Sequence, residues 1–121
     1  MAPSKQIMII DDDPQISSMI AMYFENEGYA VRAFLSATQA LMEIKKSKPN
    51  LIILDVMMPD MNGLDALKQI KALDSKIPVI LLTGLHDESK AKEAFENHAL
   101  DYITKPIDMN YLMNIVNSQL A

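Results

Sequence analysis

Five short apolar segments alternate along the chain with five segments of helical periodicity, and this alternation restricts the possible folds more than any other feature. The apolar segments are too short for typical helices and end at polar or turn-forming positions. They cover residues 6–10, 29–34, 51–54, 78–82 and 102–104. Strands that alternate with helices over short connections form a parallel sheet with right-handed crossovers, so the sequence predicts an α/β fold. Because 121 residues suffice for one domain, we expect a single domain over residues 1–121.

Polar residues that cap helices mark the starts of several helical segments. Asp13 precedes Pro14, and Ser36 and Asp108 open the second and fifth segments. The apolar side of the first helix is expected to contain Ile16, Met19, Ile20 and Tyr23. The fourth helix has a weak apolar face, chiefly Ala91, Ala94 and Phe95. We therefore expect the fourth helix to be the least firmly anchored element.

The strands of such a sheet all end at one edge, and here the strand ends carry acids, a hydroxyl group and a lysine. These residues are Asp11 and Asp12 after the first strand, Asp55 after the third, Thr83 at the fourth and Lys105 at the fifth. If the first and third strands are neighbours, as in the flavodoxin-like order 2-1-3-4-5, the three acids converge where the strand order reverses. The expected architecture is a flavodoxin-like (βα)5 three-layer sandwich, with helices on both faces of a five-stranded parallel sheet.

Carboxylates without a His or Cys partner are typical of a Mg²⁺ site rather than a zinc site. Acids this close repel each other, so one pKa should rise unless a cation neutralises them. Mg²⁺ is usually bound by one or two carboxylates together with a phosphate, and Thr83 and Lys105 would offer a hydroxyl group and a cation to the phosphate oxygens. Since an aspartate can itself become an acyl phosphate, the site is interpreted as a Mg²⁺-assisted phosphoryl acceptor centred on Asp55.

Charge and composition argue against several other classes of protein. The formal net charge is -5 and the chain has no basic stripe, so we expect no direct binding to nucleic acid. The absence of cysteine excludes disulfides and thiolate zinc sites. No apolar run approaches the roughly 18–20 residues of a membrane span, and the first residues lack the apolar core of a signal peptide. A cytoplasmic protein without membrane contact is expected.

Residues 55–63, D-V-M-M-P-D-M-N-G, match every fixed position of the motif D-x-x-M-P-x-M-[DN]-G. Four further features that accompany this motif in one protein family also occur in order. They are the acid pair Asp11 and Asp12, Thr83 followed by the small Gly84, the aromatic Tyr102, and Lys105-Pro106. Each motif alone is weak to moderate, but five in order at the expected strand ends are specific. From about Lys5 to its C-terminus, the chain resembles the receiver domain (CheY-like) of response regulators in bacterial two-component signalling.

The resemblance implies that Asp55 takes a phosphoryl group from a phosphohistidine on a sensor histidine kinase or phosphotransfer protein. It also implies that Asp12, Asp55 and the backbone carbonyl of Met57 bind Mg²⁺ directly, while Asp11 acts mainly through a metal-bound water. Such a domain assists its own phosphorylation and dephosphorylation but is not an enzyme for a separate substrate.

The resemblance further implies a switch. Lys105 would pair with the phosphoryl oxygens, and its bond to Pro106 would be cis. Thr83 would move toward the phosphoryl group, and Tyr102 would turn inward behind it. The fourth helix, fifth strand and fifth helix would then repack, and this output face would bind a partner, an effector domain or a second copy of the chain.

Two other functions remain open at this point. A phosphatase of the haloacid dehalogenase type needs a second acid two residues after its nucleophile, where this chain has Met57. A degenerate receiver that only binds proteins is disfavoured by the intact set of acids, threonine and lysine at the strand ends.

Several polar residues have less specific interpretations. His98 stands where the family commonly has Gly; if that residue has a positive φ, His is strained where Gly would not be. Asp60 and Asn62 are interpreted as turn residues, His86 and His98 as surface residues, and Lys90 and Lys92 as parts of a solvated helix face.

Overall fold

All five expected strands form one parallel sheet in the computed structural model, which describes residues 4–84 and 87–121. The strands are β1 Gln6–Ile10, β2 Ala30–Phe34, β3 Leu51–Asp55, β4 Val79–Thr83 and β5 Asp101–Thr104. The helices are α1 Pro14–Asn26, α2 Ala37–Lys46, α3 Gly63–Leu73, α4 Glu88–Glu96 and α5 Met109–Leu120. His86, interpreted above as a surface residue, lies outside the described residues.

The strand order is β2-β1-β3-β4-β5, which confirms the flavodoxin-like arrangement. β1 and β3 are neighbours, with Ile7 level with Leu51 and Ile10 level with Leu54. Because Ile10 and Leu54 are the residues before Asp11 and Asp55, this register brings the first acid of the N-terminal pair next to Asp55. Every residue of β3 is buried, as its unbroken apolar sequence predicted.

Two cores lie on opposite faces of the sheet, because alternate residues of each strand point to opposite sides. One face of β1 and β3 packs with buried residues of α2, α3 and α4, including Ile44, Leu67 and Ala94. The other face packs with α1 and α5, including Phe24 and Leu112. Each fully buried large aliphatic side chain contributes about 1.5–3 kcal/mol of transfer free energy. The sheet edge that carries the acids is therefore supported by packed layers on both sides.

Side chains cap all five described helices at their N-termini. The caps are Asp13, Ser36, Asn62, Asp87 and Asp108, each accepting a hydrogen bond from a backbone N–H group in the first turn. Pro14 occupies the first turn of α1, and Gly28 follows the same helix with φ +96°. The cap predictions at Asp13, Ser36 and Asp108 are confirmed.

The buried side of α1 agrees with the expected one at Ile16 and Ile20 but differs at Met19 and Tyr23. Ile20 is buried, but Met19 and Tyr23 are 36% and 44% exposed, and Ser17 and Phe24 are buried instead. The sequence has apolar residues on more than one side of this helix, so periodicity alone could not choose the buried side. The Ser17 hydroxyl donates to the backbone carbonyl of Asp11 at 3.3 Å, which lets a polar residue occupy the buried side.

The expectation for α4 is correct for Ala94, which is buried, and wrong for Phe95, which is 50% exposed. None of the described helices combines the length and apolar character that a membrane crossing requires.

Candidate functional site

Three carboxylates converge at the edge of the sheet where the strands end. Asp11 and Asp12 follow β1, and Asp55 is the last residue of β3. One oxygen from each lies within 4.8 Å of the others. Asp11 and Asp55 are buried, whereas Asp12 is exposed. The arrangement thus has two acids at its base and one at its mouth.

Lys105 reaches this cluster from the end of β5. Its Nζ lies 3.2 Å from Asp11 Oδ2 and 3.6 Å from Asp55 Oδ2. Its backbone N–H donates to the carbonyl of Thr83 at 2.7 Å, which fixes the chain direction after the strand. The Lys105-Pro106 peptide bond is cis, as the resemblance implied. The lysine therefore partly neutralises the two buried acids.

Burial and the neighbouring charges raise the pKa of Asp55 to about 6. Burial is the largest cause, and the nearby charge of Asp11 adds to it. The charge of Lys105 and the hydrogen bond from the Met57 N–H lower the same pKa, while Asp12 raises it slightly. The sequence prediction that one acid would have a raised pKa agrees with this result. A cation that enters the site would favour the charged form of Asp55.

The loop after β3 is held close to the strand by Gly63. The Gly63 N–H donates to the carbonyl of Val56 at 2.8 Å. A Cβ atom at position 63 would lie 2.5 Å from the carbonyl oxygen of Asp55 and 2.5 Å from Val56 Cα. Since real Cβ atoms do not approach backbone atoms this closely, only glycine allows α3 to begin where it does. Asn62, a turn residue in the sequence interpretation, caps α3 at this point.

Asp60 connects the same loop to α2, which corrects its interpretation as a simple turn residue. Its Oδ2 accepts hydrogen bonds from Ser36 Oγ at 3.0 Å, Thr38 N at 3.0 Å and Thr38 Oγ1 at 2.9 Å. The backbone bond from Thr38 is the main reason that the pKa of Asp60 is lowered. No sequence signal links position 60 to a helix 22 residues earlier, so this contact could come only from the fold.

Thr83 and Tyr102 lie on neighbouring strands beside the acids. Thr83 is buried at the end of β4. Tyr102 is half-buried and packs against the core under α3 and α4. Its hydroxyl group is buried and has no hydrogen-bond partner within residues 4–84 and 87–121. The ring of Tyr102 therefore points into the molecule in this structure.

A cleft of about 470 Å³ adjoins the cluster. It is lined by Asp12, Val56, Met57, Met58, Pro59, Asn62 and Lys90. Sequence reasoning missed Lys90, which it assigned to a solvated helix face, because nothing in the local pattern of α4 shows which side meets the loop after β3.

The model of one family, described as "Response regulator receiver domain", matches residues 7–117. The chain belongs to this family. The matched range contains all of the acids, Thr83, Tyr102 and Lys105. As a receiver domain of the response regulator family, it is a phosphorylation-switched signalling domain.

Curated relatives of this receiver domain include larger proteins. The chain is 32% identical over 116 residues to the DNA-binding response regulator MtrA of Mycolicibacterium smegmatis, covering 96% of this chain and 50% of that protein. It is 35% identical over 115 residues to the transcriptional regulatory protein ZraR of Escherichia coli, covering 95% of this chain and 26% of that protein. The chain thus spans half or less of the length of these relatives.

Solved structures support the same fold. A CheY-like response regulator receiver domain protein from Methanospirillum hungatei superposes with a TM-score of 0.93 at 29% identity, covering 98% of this chain and 94% of that chain.

Proposed function

We propose that this receiver domain accepts a phosphoryl group on Asp55, in the presence of Mg²⁺, from a phosphohistidine on a sensor histidine kinase or phosphotransfer protein. The observation that carries the proposal is the position of the Asp55 carboxylate. It lies at a strand end beside two more acids, with Lys105 Nζ 3.6 Å from its Oδ2.

In the proposed reaction, an oxygen of Asp55 forms a bond to phosphorus. The bond from phosphorus to the imidazole nitrogen of the donor breaks, and the imidazole leaves with the electron pair. Asp55 must be unprotonated to attack, and Lys105 favours that form by its charge. Lys105 is also close enough to Asp55 to bind the oxygens of the phosphoryl group after its transfer. Thr83, buried at the end of β4, is the proposed hydroxyl donor to the same oxygens.

The donor set at this site fits Mg²⁺. Its side-chain donors are the three carboxylates, with one oxygen from each acid within 4.8 Å of the others, and these donors are not the nitrogen and sulfur ligands that favour zinc. We propose that Asp12, Asp55 and the backbone carbonyl of Met57 hold the ion directly and that Asp11 acts through a water. When bound, Mg²⁺ would neutralise the acids and the phosphoryl oxygens.

The proposed output face consists of α4, β5 and α5. α4 is only lightly anchored, since Ala94 is its one buried residue among those described. Its attachment to α3 includes an ion pair of 3.2 Å between Glu93 and Lys68, whose side chains are both solvent-accessible. Phe95 and Tyr111 are both 50% exposed on this face. We propose that movement of Thr83 and Tyr102 on phosphorylation repacks this face, which would bind an output partner, an effector domain or a second copy of the chain.

The wider context follows from the same proposal. We propose that residues 1–121 form one receiver domain that works in the cytoplasm and does not itself bind nucleic acid or membrane, in keeping with the net charge of -5. It would assist its own phosphorylation and dephosphorylation without acting on a separate substrate. The phosphatase alternative gains no support, since position 57 carries a half-exposed methionine rather than an acid.

Mass spectrometry of the intact protein after incubation with acetyl phosphate tests the proposal directly. We expect a gain of one phosphoryl group that requires Mg²⁺ and is absent from Asp55→Asn, because an amide cannot be the acceptor. Asp12→Ala should lose Mg²⁺ binding in a calorimetric titration. Labelling of the Asp55→Asn variant at another residue would refute the assignment of the acceptor, and equal Mg²⁺ binding by Asp12→Ala would refute that ligand.

A further inference from the structure

The cleft beside the acid cluster has a lysine in its wall. Asp12 belongs both to the cluster and to the cleft, so the two spaces are continuous. The loop after β3 lines the cleft with Val56, Met57, Met58, Pro59 and Asn62, and α4 lines it with Lys90. A ligand that approaches Asp55 through this cleft therefore passes Lys90.

The first turn of α4 fixes the position of Lys90. The N-cap Asp87 accepts hydrogen bonds from the backbone N–H groups of Ser89 at 3.0 Å and Lys90 at 3.3 Å. Lys90 is partly buried, whereas Lys92, two residues further along the helix, is exposed. The two lysines therefore differ in environment although they belong to the same short helix.

Lys90 forms no ion pair with any of the residues that the structure describes. Across residues 4–84 and 87–121, Lys105 pairs with Asp11 and Asp55, but no ion pair includes Lys90. The Ser89 hydroxyl is the main cause of the lowered pKa of Asp87, and the charge of Lys90 is a smaller one. The ammonium group of Lys90 is therefore available to an anion in the cleft.

We propose that Lys90 acts as a second cation besides Lys105. It attracts the phosphoryl dianion of the donor into the cleft before Asp55 attacks the phosphorus atom. The inference rests on the proposed function of Asp55. Three carboxylates with one lysine leave the cluster negative before Mg²⁺ binds, and with the ion bound the same groups carry no net positive charge to attract a phosphoryl dianion. A cation along the approach raises the local concentration of the donor and hence the rate of encounter.

The same position has the opposite consequence for Mg²⁺. A lysine near Asp12 repels a divalent cation while it attracts an anion. Removal of its charge should therefore tighten Mg²⁺ binding and slow phosphorylation. If Lys90 had a purely structural role, its replacement would lower both the Mg²⁺ affinity and the phosphorylation rate. The opposite signs of the two effects therefore distinguish the two roles.

The test compares Lys90→Met with wild type, with Lys90→Arg as the charge-conserving variant and Lys92→Met as the matched control on the same helix. Phosphorylation is followed by intact mass at saturating Mg²⁺ and low ionic strength, with two small donors. With acetyl phosphate, the bond from phosphorus to the acetyl oxygen breaks and acetate leaves with the electron pair. With phosphoimidazole, the bond from phosphorus to nitrogen breaks, and the leaving imidazole takes a proton from solvent.

We expect Lys90→Met to lower the second-order rate constant about three- to tenfold with both donors, while Lys90→Arg and Lys92→Met stay near wild type. Added salt should reduce the difference, because the charge acts through a solvated cleft. Calorimetric titration should show tighter Mg²⁺ binding by Lys90→Met than by wild type.

The outcomes separate this inference from the proposed function. Wild-type protein that is not labelled on Asp55 by either donor would overturn both. Labelled wild type with an unchanged rate in Lys90→Met would overturn the role of Lys90 alone. A loss confined to one donor would also overturn it, since the phosphoryl group is the part that both donors share. Weaker Mg²⁺ binding together with a lower melting temperature would show that Lys90 has a structural role instead.

Discussion

Gly63 shows how one residue without a side chain shapes the loop after β3. The space that a Cβ atom would need is filled by the backbone of Asp55 and Val56. The glycine thus permits α3 to start directly against β3, the strand that ends at Asp55. The motif that contains Gly63 is visible in the sequence, but the atoms that exclude a side chain there are visible only in the structure.

The raised pKa of Asp55 predicts a pH-dependent stability in metal-free protein. The pKa rises from 3.8 to about 6 on folding, so the folded state binds the proton more tightly than the unfolded state. The stability that this shift contributes is therefore fully present below about pH 3.8. It decreases as the pH rises and is absent above about pH 6. The shift of about 2 pKa units corresponds to at most about 3 kcal/mol.

We expect Asp55→Asn to raise the unfolding free energy by about 1–3 kcal/mol at pH 7.5 in EDTA, with a smaller gain at pH 4.5. Urea denaturation followed by circular dichroism across this pH range measures the effect. Glu25→Gln, which removes an exposed acid on α1, is the control. A gain of the same size at both pH values would show that burial of the charged Asp55 is not the cause.

His98 has a backbone conformation that favours glycine, with φ 69°. The Ala99 N–H donates to the Ala94 carbonyl, and the His98 N–H donates to the Phe95 carbonyl, both at 3.0 Å. These two bonds are those of a Schellman motif, in which the left-handed residue ends the helix. Gly28 ends α1 in the same way, but there the sequence supplies the residue that suits the conformation.

We predict that His98→Gly raises the unfolding free energy by up to about 1 kcal/mol, because the relief of strain exceeds the added entropy of the unfolded chain. His98→Ala retains a Cβ atom and should bring no such gain. Urea denaturation of the three proteins at one pH measures the difference. Equal stabilisation by Ala and Gly would mean that the imidazole ring, and not the backbone, causes the strain.

At the scale of elements, Asp60 connects the loop after β3 to the start of α2. Ser36 Oγ accepts from the Gln39 N–H at 3.2 Å and donates to Asp60 Oδ2 at 3.0 Å, so the local cap and the distant carboxylate form one network. α2 is therefore capped partly by a residue of another element. This contact fixes the loop that contains Met57 and Pro59 relative to the helix beside it.

We predict that Asp60→Ala lowers the unfolding free energy by about 1–2 kcal/mol, because the N–H and hydroxyl groups of Thr38 lose their acceptor. Hydrogen exchange should also accelerate at the Thr38 amide. Asp65→Ala, at an exposed acid in the first turn of α3, is the control. Unchanged protection at Thr38 would show that water replaces the carboxylate without cost.

Among the elements, α4 combines weak anchoring with contact to the site. Its burial is limited to Ala94 among the described residues, and it extends Lys90 toward the cleft. A helix with little buried area can shift at small cost in free energy. In the proposed switch, the same helix would respond to phosphorylation and present the half-exposed Phe95 to a partner.

At the scale of the whole molecule, the sheet order brings the functional residues together. Asp11 and Lys105 are 94 residues apart in sequence, yet their charged atoms lie 3.2 Å apart. The parallel arrangement places all strand ends at one edge, and the neighbouring positions of β1 and β3 place the acids at the centre of that edge. Packed helices on both faces hold these side chains at a boundary between a dry core and solvent.

The sequence by itself determined the elements, most of their caps and the strand-end residues, because these depend on local periodicity and on residues with strong local preferences. The match of the motif in residues 55–63, with the acids, threonine and lysine at other strand ends, was sufficient to predict which side chains lie at this edge of the sheet. The tertiary structure alone decided which apolar side of α1 is buried, that Asp60 caps α2, and that Lys90 lines the cleft. These features depend on how elements far apart in sequence are rotated and packed against each other, and local patterns carry no information about such distant neighbours.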